Sequence, residues 1–144
     1  MHKLTHDEAW EFFDSKPGWG ALSTIESNGF PHLVAIGYFR LGTNVYCGCR
    51  DGTQKTRNID RNPKAALMLE NGRSKNNEAP ALLKGAVFQG SARVVRDPQE
   101  FLEIKQQLAQ LQGSEHVPTL ADIKPGVAYI EIVPTKIYGW TRGG

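Results

Sequence analysis

The sequence predicts a mainly β fold of the α+β kind: six strands, mostly antiparallel, bent into a small closed or half-closed barrel with two or three peripheral helices. Three observations predict it. Strand-like runs are joined by short turn signals, which favour antiparallel neighbours. The last two runs are long and carry internal glycine or proline, as bent barrel strands do. Helix signals are few.

In chain order, Thr5 and Glu8 form an S/T-x-x-E capping box ahead of "AWEFF", so a short helix is expected over about 6–15, ended by "KPGWG". "GALSTIES" is the first strand, and "SNG" turns it into "HLVAIGYFR". "LGTN" leads into the third strand, "VYCGCR". A second helix is expected from about Thr53 to Arg61, stopped by Pro63. "KAALMLEN" is the fourth strand, and "NGRSKNNEAP" reads as a mobile loop. In the long fifth strand, "LLKGAVFQGSARVVR", Gly85 and Gly90 mark bends or bulges. Asp97, Pro98 and Glu100 supply an N-cap, an N1 proline and an N3 carboxylate. The helix they open carries one apolar stripe, Phe101, Ile104, Leu108 and Leu111, expected to be buried. After the loop "GSEHVPTLADIKPG", the last strand "VAYIEIVPTKIYGW" alternates until Pro134 breaks it. Neither a repeat nor a linker appears, so residues 1–144 read as one domain.

The chain has 144 residues, 40% hydrophobic and 22% charged, enough for one core. Its net charge of +2, from 17 basic and 15 acidic residues, is too even for a general attraction to nucleic acid or anionic membrane. Neither partner is expected, and any anion site must be local. The N-terminus has no apolar leader core and no stretch is long enough to span a bilayer, so a cytoplasmic protein is expected. Cys47 and Cys49, two apart on a strand, share a face and read as small buried hydrophobes rather than a disulfide or half of a zinc site. His2, His6, His32 and His116 have no metal-ligand spacing, and His2 and His6 sit at a terminus expected to fray. No nucleophile elbow, phosphate-loop or dinucleotide fingerprint is present. No metal and no catalytic side chain is therefore expected.

One segment stands out: "DGTQKTRNIDRNPKAAL", Asp51 to Leu67. Asp51-Gly52 turns the chain off the third strand. The Thr53 hydroxyl can cap the helix that follows, whose first N–H groups point outward and carry partial positive charge. Lys55 lies in the first turn, where a cation opposes the helix dipole unless an anion binds nearby. Phosphate is the anion that helix N-termini hold best. A solvated basic face, with Arg57 and Arg61 four residues apart, accounts for the same cations. In the strand before, Leu33, Ala35 and Gly37 share one face by alternation. Two of the three are small, so a flat ring can approach the main chain there, or Gly37 simply marks a barrel bend.

The order of these features resembles the FMN-binding split-barrel family, the broad pyridoxamine 5′-phosphate oxidase-like group. "GALSTI", "PHLVAIGYF", "TQKTRNIDRNPKAAL" and the terminal "PTKIYGW" carry the resemblance, and it spans nearly the whole chain. It implies a six-stranded antiparallel split β-barrel. Thr53, Gln54 and Lys55 are similar to the family's phosphate-binding S/T-R-K, with Gln54 in place of its arginine and Arg57 or Arg50 available as a substitute. The resemblance places His32, Leu33, Val34, Ala35 and Ile36 along the flavin ring, and Gly48 and Cys49 beside the ring and its ribityl chain. Trp140 falls where the family carries an aromatic near the flavin edge, often from the partner subunit; capping a barrel mouth is the other reading of so large a residue. The basic C-terminal segment of true pyridoxamine phosphate oxidases finds no match, so vitamin B6 oxidation is the less expected activity. The resemblance thus implies an FMN-binding oxidoreductase passing a hydride through flavin N5 to or from a small-molecule substrate, as a homodimer with cofactor sites at the interface. The alternative is a non-catalytic carrier or sensor of flavin, deazaflavin or haem.

Overall fold

The computed structural model describes residues 1–72 and 82–143. Helix α1 (His6–Asp14) starts as its capping box dictates. The Thr5 hydroxyl accepts from the Glu8 N–H at 3.1 Å, and the Glu8 carboxylate accepts from the Thr5 N–H at 2.9 Å. Two donors that a helix cannot satisfy internally are thereby satisfied. The apolar face of α1, Ala9, Phe12 and Phe13, joins the core. Phe13 there lies edge-on to Tyr38 and Phe88, with ring centroids 5.0 and 5.2 Å away.

The strands are β1 (His2–Lys3), β2 (Gly20–Ile25), β3 (Pro31–Ile36), β4 (Phe39–Leu41), β5 (Asn44–Arg50), β6 (Lys64–Glu70), β7 (Leu82–Val95) and β8 (Val127–Gly143). Every pairing is antiparallel. The order is β3-β2-β6-β7-β8-β5-β4, with β1 added on β8. The six expected strands are all present. The second is cut at Gly37–Tyr38 into β3 and β4, and the N-terminus forms the short β1 against Thr141 and Trp140 instead of fraying. The two outermost strands, β3 and β4, are neighbours in sequence, yet no ladder joins them. The sheet curls around Leu22, Ile36, Val45, Leu67, Phe88 and Ile130 without closing, which is a split barrel.

Proline 134 does not end the last strand. β8 runs straight through it, and the β7–β8 register slips there: Gln89 pairs with Lys136 but Gly90 pairs with Pro134, leaving Thr135 as the extra residue. A bulge is where a strand tolerates a residue with no N–H to give. Gly90 is required at this crossing, because a Cβ there would lie 2.0 Å from the Val133 carbonyl oxygen. Gly85 has a different reason: its bare backbone is the floor for the Trp140 indole, which a Cβ would meet at 2.1 Å.

Helix α3 (Pro98–Leu111) is capped by the Asp97 carboxylate, which accepts the Glu100 N–H at 3.0 Å. It covers the outer face of β5 and β8, where Phe101 stacks on Tyr129 at 4.2 Å. The expected four-residue stripe is only partly buried: Phe101 and Ile104 are, with Leu102 beside them, whereas Leu111 is 69% exposed. The helix buries its first two turns and its end overhangs the sheet. The loop after it contains one 3-10 turn, Leu120–Asp122. Most of the loop expected at "NGRSKNNEAP" lies outside the described residues.

Because α3 covers this face, the start of β8 is buried on both sides, and Glu131 is caught there at 8% exposure. Tyr46 Oη donates to it at 2.7 Å and Arg93 Nε at 2.9 Å. Burial pushes the Glu131 pKa up, but the hydrogen bonds from Arg93 and Tyr46 outweigh it and hold the carboxyl below its ordinary value. Burial, and then the bond to Glu131, push the Tyr46 phenol up to about 12, so it stays a donor. A carboxyl depressed in the folded chain adds stability above its unfolded pKa and loses it as pH falls through the folded value. Glu131→Gln is therefore expected to cost about 1–3 kcal/mol at neutral pH. The difference should close as pH drops below about 4. Urea unfolding of both chains at the two pH values measures it.

Candidate functional site

The basic segment folds as a turn and a helix, α2 (Gln54–Arg61). Gly52 takes φ +79°, a left-handed turn conformation open to glycine, and its N–H donates to Asp51 Oδ1 at 2.8 Å. Thr53 stands at the N-cap but does not cap through its hydroxyl, contrary to expectation: that hydroxyl donates back to the Arg50 carbonyl at 3.0 Å. The turn off β5 brings this acceptor within its reach. Among the described residues no side chain accepts from the first N–H groups of α2, so these donors at the positive end of the helix stay free.

Side chains then sort the cations. Arg57 folds back, donating to the Gly52 carbonyl at 2.6 Å and to Gln54 Oε1 at 3.0 Å. Arg61 donates to the Ile25 carbonyl on β2 and to Asn58 Oδ1. Lys55 has no ion-pair partner among the described residues. It is half-buried and close enough to Cys49 for its charge to act on the thiol. Burial raises the Cys49 pKa and Lys55 pulls the other way; burial pushes the Cys47 thiol up to about 12. Cys47 is fully buried as expected, while Cys49, next to the last residue of β5, is only half-buried.

A buried polar hub fixes α2 to the sheet. Asn58 is fully buried; its Nδ2 donates to Thr24 Oγ1 at 3.0 Å and its Oδ1 accepts from Gln54 Nε2 at 2.6 Å. Gln54, where the family pattern has arginine, is thus locked between Asn58 and Arg57. Thr24 on β2 faces His32 on β3. The Nδ1 of His32 is buried with no hydrogen-bond partner among the described residues, a polar atom available to a bound molecule. Along β3, His32, Val34 and Ile36 turn inward, while Leu33 and Ala35 face out. Among the described strands β3 pairs only with β2, so its other edge presents main-chain donors and acceptors to the split.

The structure thus links His32 to the start of α2 through Thr24 and Asn58, and brings Cys49, Thr53, Gln54, Lys55 and Arg57 together around that start. It sets Trp140 apart. Arg50, just before α2, pairs with Val127 at the beginning of β8, and Trp140 lies near the other end, about 40 Å of strand contour away. Two side chains in contact with this segment had no role assigned from the sequence: Asn58, bonded to Thr24 and Gln54, and Arg96, which donates to Asp51 and Asp60. The polar i, i+4 pair Gln54 and Asn58 was the available signal for the first. The second makes its contacts across 36 and 45 residues, and sequence carries no local mark of them.

The folded chain resembles several solved structures. A conserved hypothetical protein from Mycobacterium tuberculosis superposes with a TM-score of 0.75 at 23% identity, covering 95% of this chain and 84% of that one. An FAD-binding protein from Mycobacterium smegmatis gives 0.65 at 18% identity over 100% and 99% of the two chains. The haem storage protein HutZ from Vibrio cholerae gives 0.66 at 15% identity over 97% and 95%. At these identities what is shared is the fold. No curated protein matches the sequence. Residues 6–141 match the family described as pyridoxamine 5′-phosphate oxidase, nearly the full length of the barrel, and the chain belongs to that family.

Proposed function

We propose that the chain is one flavin-binding domain and an FMN-dependent oxidoreductase acting on a small molecule. The observation that carries this reading is Lys55: a half-buried ammonium without an acidic partner among the described residues, in the first turn of a helix whose leading N–H groups no side chain caps. A phosphate satisfies both. Backbone N–H groups at residues 53 to 55 and the Lys55 ammonium would hold it, with Thr53, Gln54 and Arg57 shaping the turn around it. The free edge of β3, from His32 to Ile36, offers backbone hydrogen bonds to a ring, and the unpartnered His32 Nδ1 is a further polar contact. Cys49, a neutral thiol, gives a small apolar wall beside Lys55. Bound FMN would supply hydride transfer at N5, so the chain's task is to bind, orient and exclude water. Solved structures of the same fold, one described as FAD-binding and one as a haem storage protein, make a flavin the first ligand to test and haem the second.

The sites would be completed in a homodimer. Leu33 on β3, Met68 on β6 and Tyr138 on β8 are exposed large apolar side chains on the outer sheet face, with Val87 between the last two by register. Such a face on a small barrel calls for cover, and a second copy covering it would supply Trp140 to the other chain's cleft. Sedimentation is expected to show a dimer at micromolar concentration, and Met68→Lys, which puts a charge in the middle of that face, to shift it to monomer.

The direct test of function is the absorbance spectrum of the purified protein, with mass spectrometry of whatever denaturation releases. A flavin spectrum bleached by NAD(P)H supports the reading. A bound flavin that no nicotinamide reduces would make the chain a cofactor-binding protein. A haem Soret band or a released deazaflavin would replace FMN, and failure to bind any of the three would overturn the proposal.

A further inference from the structure

We infer that Arg96 is a positioning residue for the anion-binding end of α2, acting through Asp51; this rests on the phosphate reading above. Arg96 lies just beyond β7, outside the segment that carries the candidate ligands. Its single guanidinium reaches both ends of that segment. Nε donates to Asp51 Oδ2 at 2.6 Å, in the turn before the helix. The two terminal nitrogens donate to the two carboxylate oxygens of Asp60, in the last turn, at 3.0 and 2.5 Å.

The clamp continues into the turn. The other oxygen of Asp51 accepts the Gly52 N–H, and the Gly52 carbonyl accepts Arg57 at 2.6 Å. The path Arg96–Asp51–Gly52–Arg57 therefore fixes the backbone immediately ahead of Lys55. The Arg96 guanidinium hydrogen-bonded to Asp51 holds its carboxyl below the usual carboxylate range, so the tether stays ionised at neutral pH. The fork against Asp60 fixes the guanidinium plane, which a lysine in the same place does not do. A phosphate held by backbone N–H groups binds well only if those groups are aimed beforehand, since any ordering left until binding is subtracted from affinity.

Positioning and simple electrostatics predict opposite signs for one variant. Asp51→Ala removes a negative charge from beside the anion site, so charge alone would tighten phosphate binding. Loss of the tether weakens it. FMN and riboflavin share a ring and differ at the phosphate, so the ratio of their affinities cancels any general loosening of the fold. Asp51→Ala and the charge-conserving Arg96→Lys are each expected to lower the preference for FMN over riboflavin about fivefold, the scale of one half-exposed charged contact. Melting temperatures are followed alongside. An unchanged preference in Arg96→Lys, or a higher one in Asp51→Ala, overturns the positioning role while leaving the phosphate site standing. A native chain that binds both ligands equally well overturns the phosphate reading and this inference with it.

Discussion

Lys55→Ala is expected to weaken FMN binding by about tenfold to a hundredfold and to leave riboflavin binding unchanged, the range that one charge-assisted contact to a phosphate commands. The size follows from how the neighbouring cations are used. Arg57 and Arg61 hold carbonyls, and Arg96 holds two carboxylates. Lys55 has no ion-pair partner among the described residues and is half-buried, where water screens its charge less than at the surface. Removing it costs the anion a half-buried charged donor, and the capless N–H groups that remain cannot replace a full charge. Titration of FMN and riboflavin by flavin fluorescence at two salt concentrations measures this. The difference between native chain and variant should shrink as salt rises. Equal affinities of the two chains for FMN would remove Lys55 from the site.

Gly90→Ala should be the most damaging conservative change in the barrel, at roughly 3 kcal/mol. For a chain of this length that corresponds to a fall in melting temperature of about 10 °C. The added methyl would lie 2.0 Å from the Val133 oxygen and 2.9 Å from Pro134 Cα, both backbone atoms that no rotamer change can move. Relief requires shifting the bulge, and the bulge sets the register between β7 and the second half of β8. Gly143→Ala is the control, since a Cβ there meets nothing within 4 Å and should leave melting unchanged. Differential scanning calorimetry on the two variants decides it, and equal melting temperatures would refute the steric account.

Those two positions show what the sequence could and could not reveal. Local rules were legible where all the partners sit within four residues. The Thr5–Glu8 box and the Asp97 cap formed as written, and the "SNG" turn closed with Gly29 at φ +87°. Gly90 was legible as a bulge because glycine inside a strand run has few other uses. Thr53 misled because its hydroxyl had a second acceptor, the Arg50 carbonyl, brought near only by the turn itself. Leu111 has the right spacing to be buried, but periodicity says which face is apolar, not how far the covering surface extends. Pro134 broke the strand pattern in sequence and not in space, because β7 supplied a register slip to receive it. The clamp of Arg96 on Asp51 and Asp60 exists only after β7 has crossed the barrel, and no window along the chain contains it.

The missing ladder between β3 and β4 gives the barrel a seam, and the seam has a mechanical meaning. Its two lips are joined covalently at Gly37–Tyr38, and no strand ladder joins them elsewhere. Separating them would break no ladder pair, so the seam is the one line along which this sheet can widen without losing a rung among the described strands.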